Sequence, residues 1–220
     1  MVKLIGPEST LWRVEQGARV ELAGGGWVRL IERAFDAHEA RMSRLLEELP
    51  LRVEEVVVFG RRHPTPRRTS WHGDPQCAYA YSGRRFAPAP WTPELARIRD
   101  RLEELEGVRF NSVLANHYRD GRDAMGAHAD DEPELGPSRD DVRIASVSLG
   151  APRRFVLRHR ERGETLSLSL GEGSLLVMGG ALQRSWVHRV PRTRRAVGPR
   201  LNLTFRVVVP RPTIPPCSTS

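Results

Sequence analysis

Acidic residues run out early: no Asp or Glu follows Glu172 in this 220-residue chain. Eight arginines do follow it: Arg184, Arg189, Arg192, Arg194, Arg195, Arg200, Arg206 and Arg211. The chain up to Glu172 is formally balanced, so the net charge of +8 equals the contribution of this last stretch. A one-sided basic segment predicts a polyanionic partner, most simply nucleic acid. Cysteine is nearly absent. The pair Cys77 and Cys217 is too small for a disulfide framework or a zinc cluster. No apolar run nears the roughly 20 residues that span a bilayer, and residues 1–10 lack the basic-then-apolar order of a signal peptide. A reducing, intracellular compartment is expected, cytoplasmic, nucleoid or nuclear according to the source. No internal repeat or low-complexity tract is evident, which excludes solenoids. A Cys-His or Ser-His-Asp set for covalent catalysis is also lacking.

Periodicity divides the chain near Phe110. Before it, residues 1–20 read as irregular, 27–31 as a short strand, and 36–49 as a helix with Asp36 as N-cap and Pro50 as stop. Residues 53–59 are β-branched and strand-like, 61–68 form a basic, proline-broken loop, and 78–83 alternate as a strand. A second helix is expected from Thr92, with Pro93 in its first turn, to about Glu106. After Phe110, strands are expected at 110–118, 125–130, 142–149, 153–159, 165–170, 174–178, 185–190 and 201–209. Short strands in such succession predict a β-sandwich or jelly-roll, with the two helices packed on one sheet.

The chemistry centres on His128-Ala129-Asp130. On a strand, side chains i and i+2 share a face, so an imidazole and a carboxylate can grip one ion. They make two-thirds of a 2-His-1-carboxylate triad, the ligand set of non-haem Fe(II) oxygenases. A third ligand is sought among His159, flanked by Arg158 and Arg160, and His188, on the alternating stretch 185–190. Cations on both sides disfavour His159. Three protein ligands leave room on iron for an α-keto acid and dioxygen, and the acid's distal carboxylate calls for arginine. Residues 200–206 supply an all-polar file, Arg200, Asn202, Thr204 and Arg206, against an apolar file, Leu201, Leu203 and Phe205. An inward file with two arginines is costly unless an anion sits there. Asn116 and Tyr118 form a similar pair. The bland alternative is an edge strand with one solvated face.

On these residues the chain resembles the AlkB family of Fe(II)- and 2-oxoglutarate-dependent dioxygenases, above all its duplex-preferring DNA repair demethylases. The resemblance spans residues 50–209 and rests on 116–121, 128–132, 144–150, 173–178, Trp186-Val187-His188 and 200–206. It implies a double-stranded β-helix core of α+β class, with N-terminal helices on one sheet and a nucleotide-recognition lid. The implied division is an extension with helix at 1–50, lid and supporting helix at 51–109, core at 110–210 and tail at 211–220, in one structural domain. By resemblance His128, Asp130 and His188 bind Fe(II), and Asn116, Tyr118, Arg200, Asn202, Thr204 and Arg206 hold 2-oxoglutarate. The damaged base would meet Tyr79, Tyr81 and Ser82 on one side and Asp131 and Glu132 on the other. Phe59, in Val58-Phe59-Gly60, resembles a finger that fills the gap left by a flipped base. Arg61, Arg62, Arg67, Arg68, Arg192, Arg194 and Arg195 would face phosphates.

The implied reaction is oxidative demethylation of 1-methyladenine and 3-methylcytosine in DNA by a monomer. It would consume O2 and 2-oxoglutarate and release formaldehyde, succinate and CO2. The same chemistry on RNA, and a non-catalytic nucleic-acid-binding jelly-roll, are the alternatives. Where the family carries a tyrosine before Gly-Asp, this chain has Trp71-His72 before Gly73-Asp74, which alters the lid.

Overall fold

The computed structural model describes residues 3–5, 17–36, 39–58, 60–81, 84–131 and 142–209. In chain order come β1 (Lys3–Ile5), β2 (Arg19–Leu22), β3 (Gly26–Ile31) and α1 (Glu39–Glu48). Next are β4 (Glu55–Val58), β5 (Arg61–Pro64), β6 (Arg68–Gly73), β7 (Tyr79–Tyr81), β8 (Arg84–Phe86) and α2 (Pro93–Glu106). The core strands follow: β9 (Ser112–Tyr118), β10 (Met125–His128), β11 (Ile144–Gly150), β12 (Arg153–His159) and β13 (Thr165–Leu170). The described chain closes with β14 (Ser174–Gly180), α3 (Leu182–Ser185), β15 (Trp186–Val190) and β16 (Arg200–Arg206).

Among the described residues, the strands pair antiparallel into two main sheets and two hairpins. A seven-stranded sheet runs β2-β3-β14-β11-β16-β9-β6, and a five-stranded sheet runs β1-β13-β12-β15-β10. Strands remote in sequence lie side by side, as a jelly-roll requires. The seven-stranded sheet is apolar on both faces because both are covered. Leu45, Leu95, Ile98 and Leu102 of the helices, with Leu49 just after α1, pack on Val147, Leu203 and Phe205. The opposite face packs Ile144, Leu176 and Met178 against Leu157, Leu166, Leu168 and Trp186 of the five-stranded sheet. The α+β jelly-roll expected from the sequence is the fold of the chain.

Local chemistry explains the helix that places the sheet. Thr92 Oγ1 accepts from Leu95 N at 3.3 Å, Pro93 takes the first turn, and Gly107 ends α2 in the left-handed region at φ 63°. Three expectations give way, and one alternative is excluded. Residues 3–5 and 19–22 are strands on sheet edges, since β1 pairs with β13 and β2 with β3. The 61–68 stretch is not a loop: β5 closes a hairpin on β4, and β6 opens at Arg68 beside β9. The strand expected from 185 starts one residue later, after the helical turn of α3. β16 is no edge strand, having β11 on one side and β9 on the other.

Candidate metal and co-substrate site

The three predicted ligands converge. β10 and β15 are neighbours, and His128 and His188 are Cα partners across them. Their rings stand 4.3 Å apart, tilted by 59°. β10 ends at His128, so Asp130 lies just past the strand, where Gln183 Oε1 accepts from its backbone N–H at 3.0 Å. From the Asp130 carboxylate, Oδ1 is 3.9 Å from His128 Nε2 and Oδ2 is 3.5 Å from His188 Nε2. All the ligand atoms fall within 4.8 Å of one another.

Protonation states fit a metal. His128 Nδ1 lies 2.9 Å from Gly126 O, and a carbonyl only accepts, so Nδ1 donates and Nε2 is the ring nitrogen turned to Asp130. Burial pushes His188 down to about 4 against the opposing pull of Asp130, which keeps the imidazole neutral and able to ligate. Burial alone would raise the Asp130 carboxyl, but Arg206, His188 and His128 outweigh it and hold it low. Arg206 also donates to Asp130 Oδ1. Phe155 stacks on His188 with centroids 5.3 Å apart, fixing the ring.

Beside the triad lies a narrow cleft between the two sheets. β16 turns Asn202, Thr204 and Arg206 into it while Leu201, Leu203 and Phe205 enter the helix-side core. β9 adds Asn116 and Tyr118 in the same way. Arg200 is 1% exposed. Its Nη2 donates to Ser148 Oγ at 2.8 Å, yet Nε and Nη1 have no hydrogen-bond partner among the described residues. Burial lowers its pKa to about 10. Unpaired donors on a buried cation cost several kcal/mol, so this guanidinium is prepared for an anion. Asn202 Nδ2 is held by Ser146 Oγ at 2.8 Å and Val147 O at 3.0 Å.

Some assignments change and others were missed. Arg67, grouped with the phosphate-facing arginines, turns inward. Its Nε donates to Asn116 Oδ1 at 2.8 Å, and burial lowers its pKa. Arg61, Arg62, Arg68, Arg192, Arg194 and Arg195 are exposed as expected, with Arg62 paired to Glu55 at 3.3 Å. Asp131 is half-buried and 3.6 Å from Arg160. Phe59, Ser82, Glu132 and the loop residues Arg139, Asp140 and Asp141 lie outside the described residues, as do the side chains of Tyr79 and Tyr81. His159 is structural: its Nδ1 accepts from Glu161 N and Arg162 N, and its ring meets Trp186 edge-on. The divergent pair, in β6 of the seven-stranded sheet, is anchored inward, Trp71 donating to Ser112 Oγ at 2.7 Å and His72 lying between Ser70 and Pro90 O. Missed were Ser146 and Ser148, although their alternation with Ala145, Val147 and Leu149 repeats the β16 pattern. The register sets Ser146 opposite Thr204 and Ser148 opposite Asn202. Gln183 had no signal, because its role depends on a one-turn helix far from Asp130 in sequence.

A family model described as the 2OG-Fe(II) oxygenase superfamily matches residues 28–206. The chain belongs to this superfamily. Among its relatives, mouse DNA oxidative demethylase ALKBH2 is 42% identical over 187 residues, covering 78% of this chain and 77% of that protein. Rat alpha-ketoglutarate-dependent dioxygenase alkB homolog 3 is 39% identical over 189 residues, covering 81% and 62%. The solved structure of OsALKBH1 superposes with a TM-score of 0.57 over 86% of this chain and all of its own, at 17% identity. That likeness speaks to fold alone. As a 2OG-Fe(II) oxygenase, the chain has a use for the triad and for the anion-ready arginine: Fe(II) and 2-oxoglutarate.

Proposed function

We propose that this oxygenase removes N-methyl groups from damaged bases in DNA, with 1-methyladenine and 3-methylcytosine as substrates. The observation that carries the co-substrate half is Arg200, a buried guanidinium with two unpaired donors against Tyr118, which itself lines the cleft of the triad. The substrate half is supported by the 42% identity to a protein named as a DNA oxidative demethylase. Fe(II), O2 and 2-oxoglutarate together supply the oxidising power that hydroxylates an N-methyl carbon, with succinate, CO2 and formaldehyde as products.

The chain's own share is placement. His128, Asp130 and His188 would hold the iron. Arg200 would clamp the distal carboxylate of 2-oxoglutarate, and Asn116, Tyr118, Asn202, Thr204 and Arg206 would line its bed. Asp131 would face the cationic base, with Glu132, Tyr79, Tyr81 and Ser82 completing the wall. Residues 51–109 would act as the recognition lid, with Phe59 entering a duplex. The root of the β4–β5 hairpin and the arginine loop after β15 share a cleft, Val53, Pro64 and Pro66 against Arg119, Arg122 and Arg192. Arg119 and Arg122 are paired there with Asp123 and Asp120, so the duplex reading leans on the exposed Arg61, Arg62, Arg192, Arg194 and Arg195 that flank the cleft. A methylated Watson–Crick edge pairs poorly, so extrusion costs less than for an intact base.

The test is formaldehyde release from methylated oligonucleotides as duplex DNA, single-stranded DNA and single-stranded RNA. The expected order places duplex DNA first, and His128→Ala abolishes release on all three. Equal release by wild type and His128→Ala overturns the metal assignment. Inactivity on duplex DNA overturns the hairpin assignment.

A further inference from the structure

We infer that Arg153 is a positioning residue that ties both metal-bearing strands to the co-substrate bed and acts through Tyr118. This rests on the co-substrate reading above. Arg153 opens β12, is 3% exposed, and does not line the cleft. Its guanidinium spends its donors on main-chain carbonyls: Nη1 to Asp120 O at 3.0 Å, and Nη2 to Asp123 O at 2.8 Å and Pro191 O at 2.9 Å. Asp120 and Asp123 belong to the turn that leads from β9 into β10, the strand of His128. Pro191 directly follows β15, the strand of His188. One side chain therefore fastens the roots of both ligand strands.

The same roots are packed without slack. Thr193 N donates to Gly121 O at 2.9 Å, and a Cβ at Gly121 would lie 2.5 Å from Thr193 O. The guanidinium carbon of Arg153 also lies 5.6 Å from the Tyr118 ring centroid, and that of Arg200 lies 5.3 Å from it. Tyr118 is 2% exposed and faces the cleft. Its ring thus meets the arginine that would take the co-substrate carboxylate and the arginine that holds the ligand strands. A loop clamp alone needs no aromatic neighbour; contact with Tyr118 is what makes Arg153 a link between the two halves of the site.

The experiment measures 2-oxoglutarate binding by calorimetry with Mn(II) replacing Fe(II), so that no turnover intervenes. Arg153→Met and Arg153→Lys are made in the wild-type and Tyr118→Leu backgrounds, and thermal midpoints are recorded alongside. Arg153→Met is expected to weaken binding by about 10-fold or more, within the range for outer-shell partners. Arg153→Lys keeps the charge but loses the fork, and should recover part of the loss. In the Tyr118→Leu background the effect of Arg153→Met should shrink to about 2-fold or less, the coupling a double-mutant cycle isolates. If Arg153→Met does not fold, the comparison is made with Arg153→Lys in both backgrounds. Unchanged binding in folded variants, whatever their midpoints, overturns the inference. So does an equal loss in both backgrounds, or failure of both variants to fold, which would make Arg153 structural. Failure of the wild type to bind 2-oxoglutarate would sink the co-substrate reading itself.

Discussion

The strands that floor the cleft and the hairpins that precede α2 are built on opposite terms. The cleft floor is made of β11, β16 and β9, neighbouring strands inside a seven-stranded sheet, with polar side chains turned into the cleft. The segment between α1 and α2 carries two-stranded hairpins, β4–β5 and β7–β8, and every residue of β5 is exposed. On the proposed function, one region would surround a small charged molecule and the other would leave side chains free to meet a large polyanion, rigidity where bond-making needs it and exposure where a long surface lands.

Arg200→Met tests the bed most severely. Removing one member of a buried, hydrogen-bonded charge pair costs about 2–5 kcal/mol, so 2-oxoglutarate binding should fall by roughly 30- to 4,000-fold. Without co-substrate the same change removes an unpaired buried charge, so the thermal midpoint should hold or rise. Binding within a few-fold of wild type would show that the bed does not depend on its buried cation. On the opposite face of the same strand, Leu203→Ala should do the reverse, losing about 2–5 kcal/mol of stability from the helix-side core. Denaturant unfolding and calorimetry on the two variants separate the faces of β16.

Arginines on the lid give a smaller, different signature. Arg61→Ala with Arg62→Ala should lower duplex affinity and reduce the salt slope by about 0.9 for each phosphate no longer neutralised. Their exposure means that stability should move by no more than about 0.5 kcal/mol. Arg67→Ala should instead weaken 2-oxoglutarate binding and leave the salt slope alone, because its Nε is engaged with Asn116. A salt-slope change in Arg67→Ala, measured by fluorescence titration, would return it to the phosphate-facing group.

How far the sequence could be read follows the same division. Alternation along 200–206 placed the polar and apolar files correctly, since a strand covered on both faces must sort its side chains strictly. The Thr92-Pro93 start and Gly107 end of α2 were equally readable, being local chemistry. Arg67 was misread because adjacency to Arg68 says nothing of which way each turns: β6 begins between them and sends Arg68 out. The exposed hairpin at 61–64 has no buried face to impose a period, so its proline and arginines looked like a loop. Gln183 and Arg153 act through partners tens of residues distant, and only the closed fold brings them there.

The smallest predicted effect tests whether the bed's strands are themselves free of strain. β9 sends Asn116 and Tyr118 into the cleft and His117 to the other side, opposite Leu201. His117 is buried, and neither ring nitrogen has a hydrogen-bond partner among the described residues. Burial lowers its pKa, Arg68 and Arg119 lower it further, and Asp123 opposes them. A leucine of similar size removes the unpaired nitrogens and should stabilise the fold by about 1 kcal/mol. The pH sign follows from the same shift. With the folded pKa below the unfolded value of about 6.5, the unfolded chain binds more protons in that window. The neutral ring's contribution is therefore complete above about pH 6.5 and is lost as the pH falls. His117→Leu should flatten the decline in stability on the acid side of neutrality and leave 2-oxoglutarate binding unchanged. A steeper acid decline in the variant, seen in denaturant melts between neutrality and mild acid, would mean that His117 is protonated and paired in the fold.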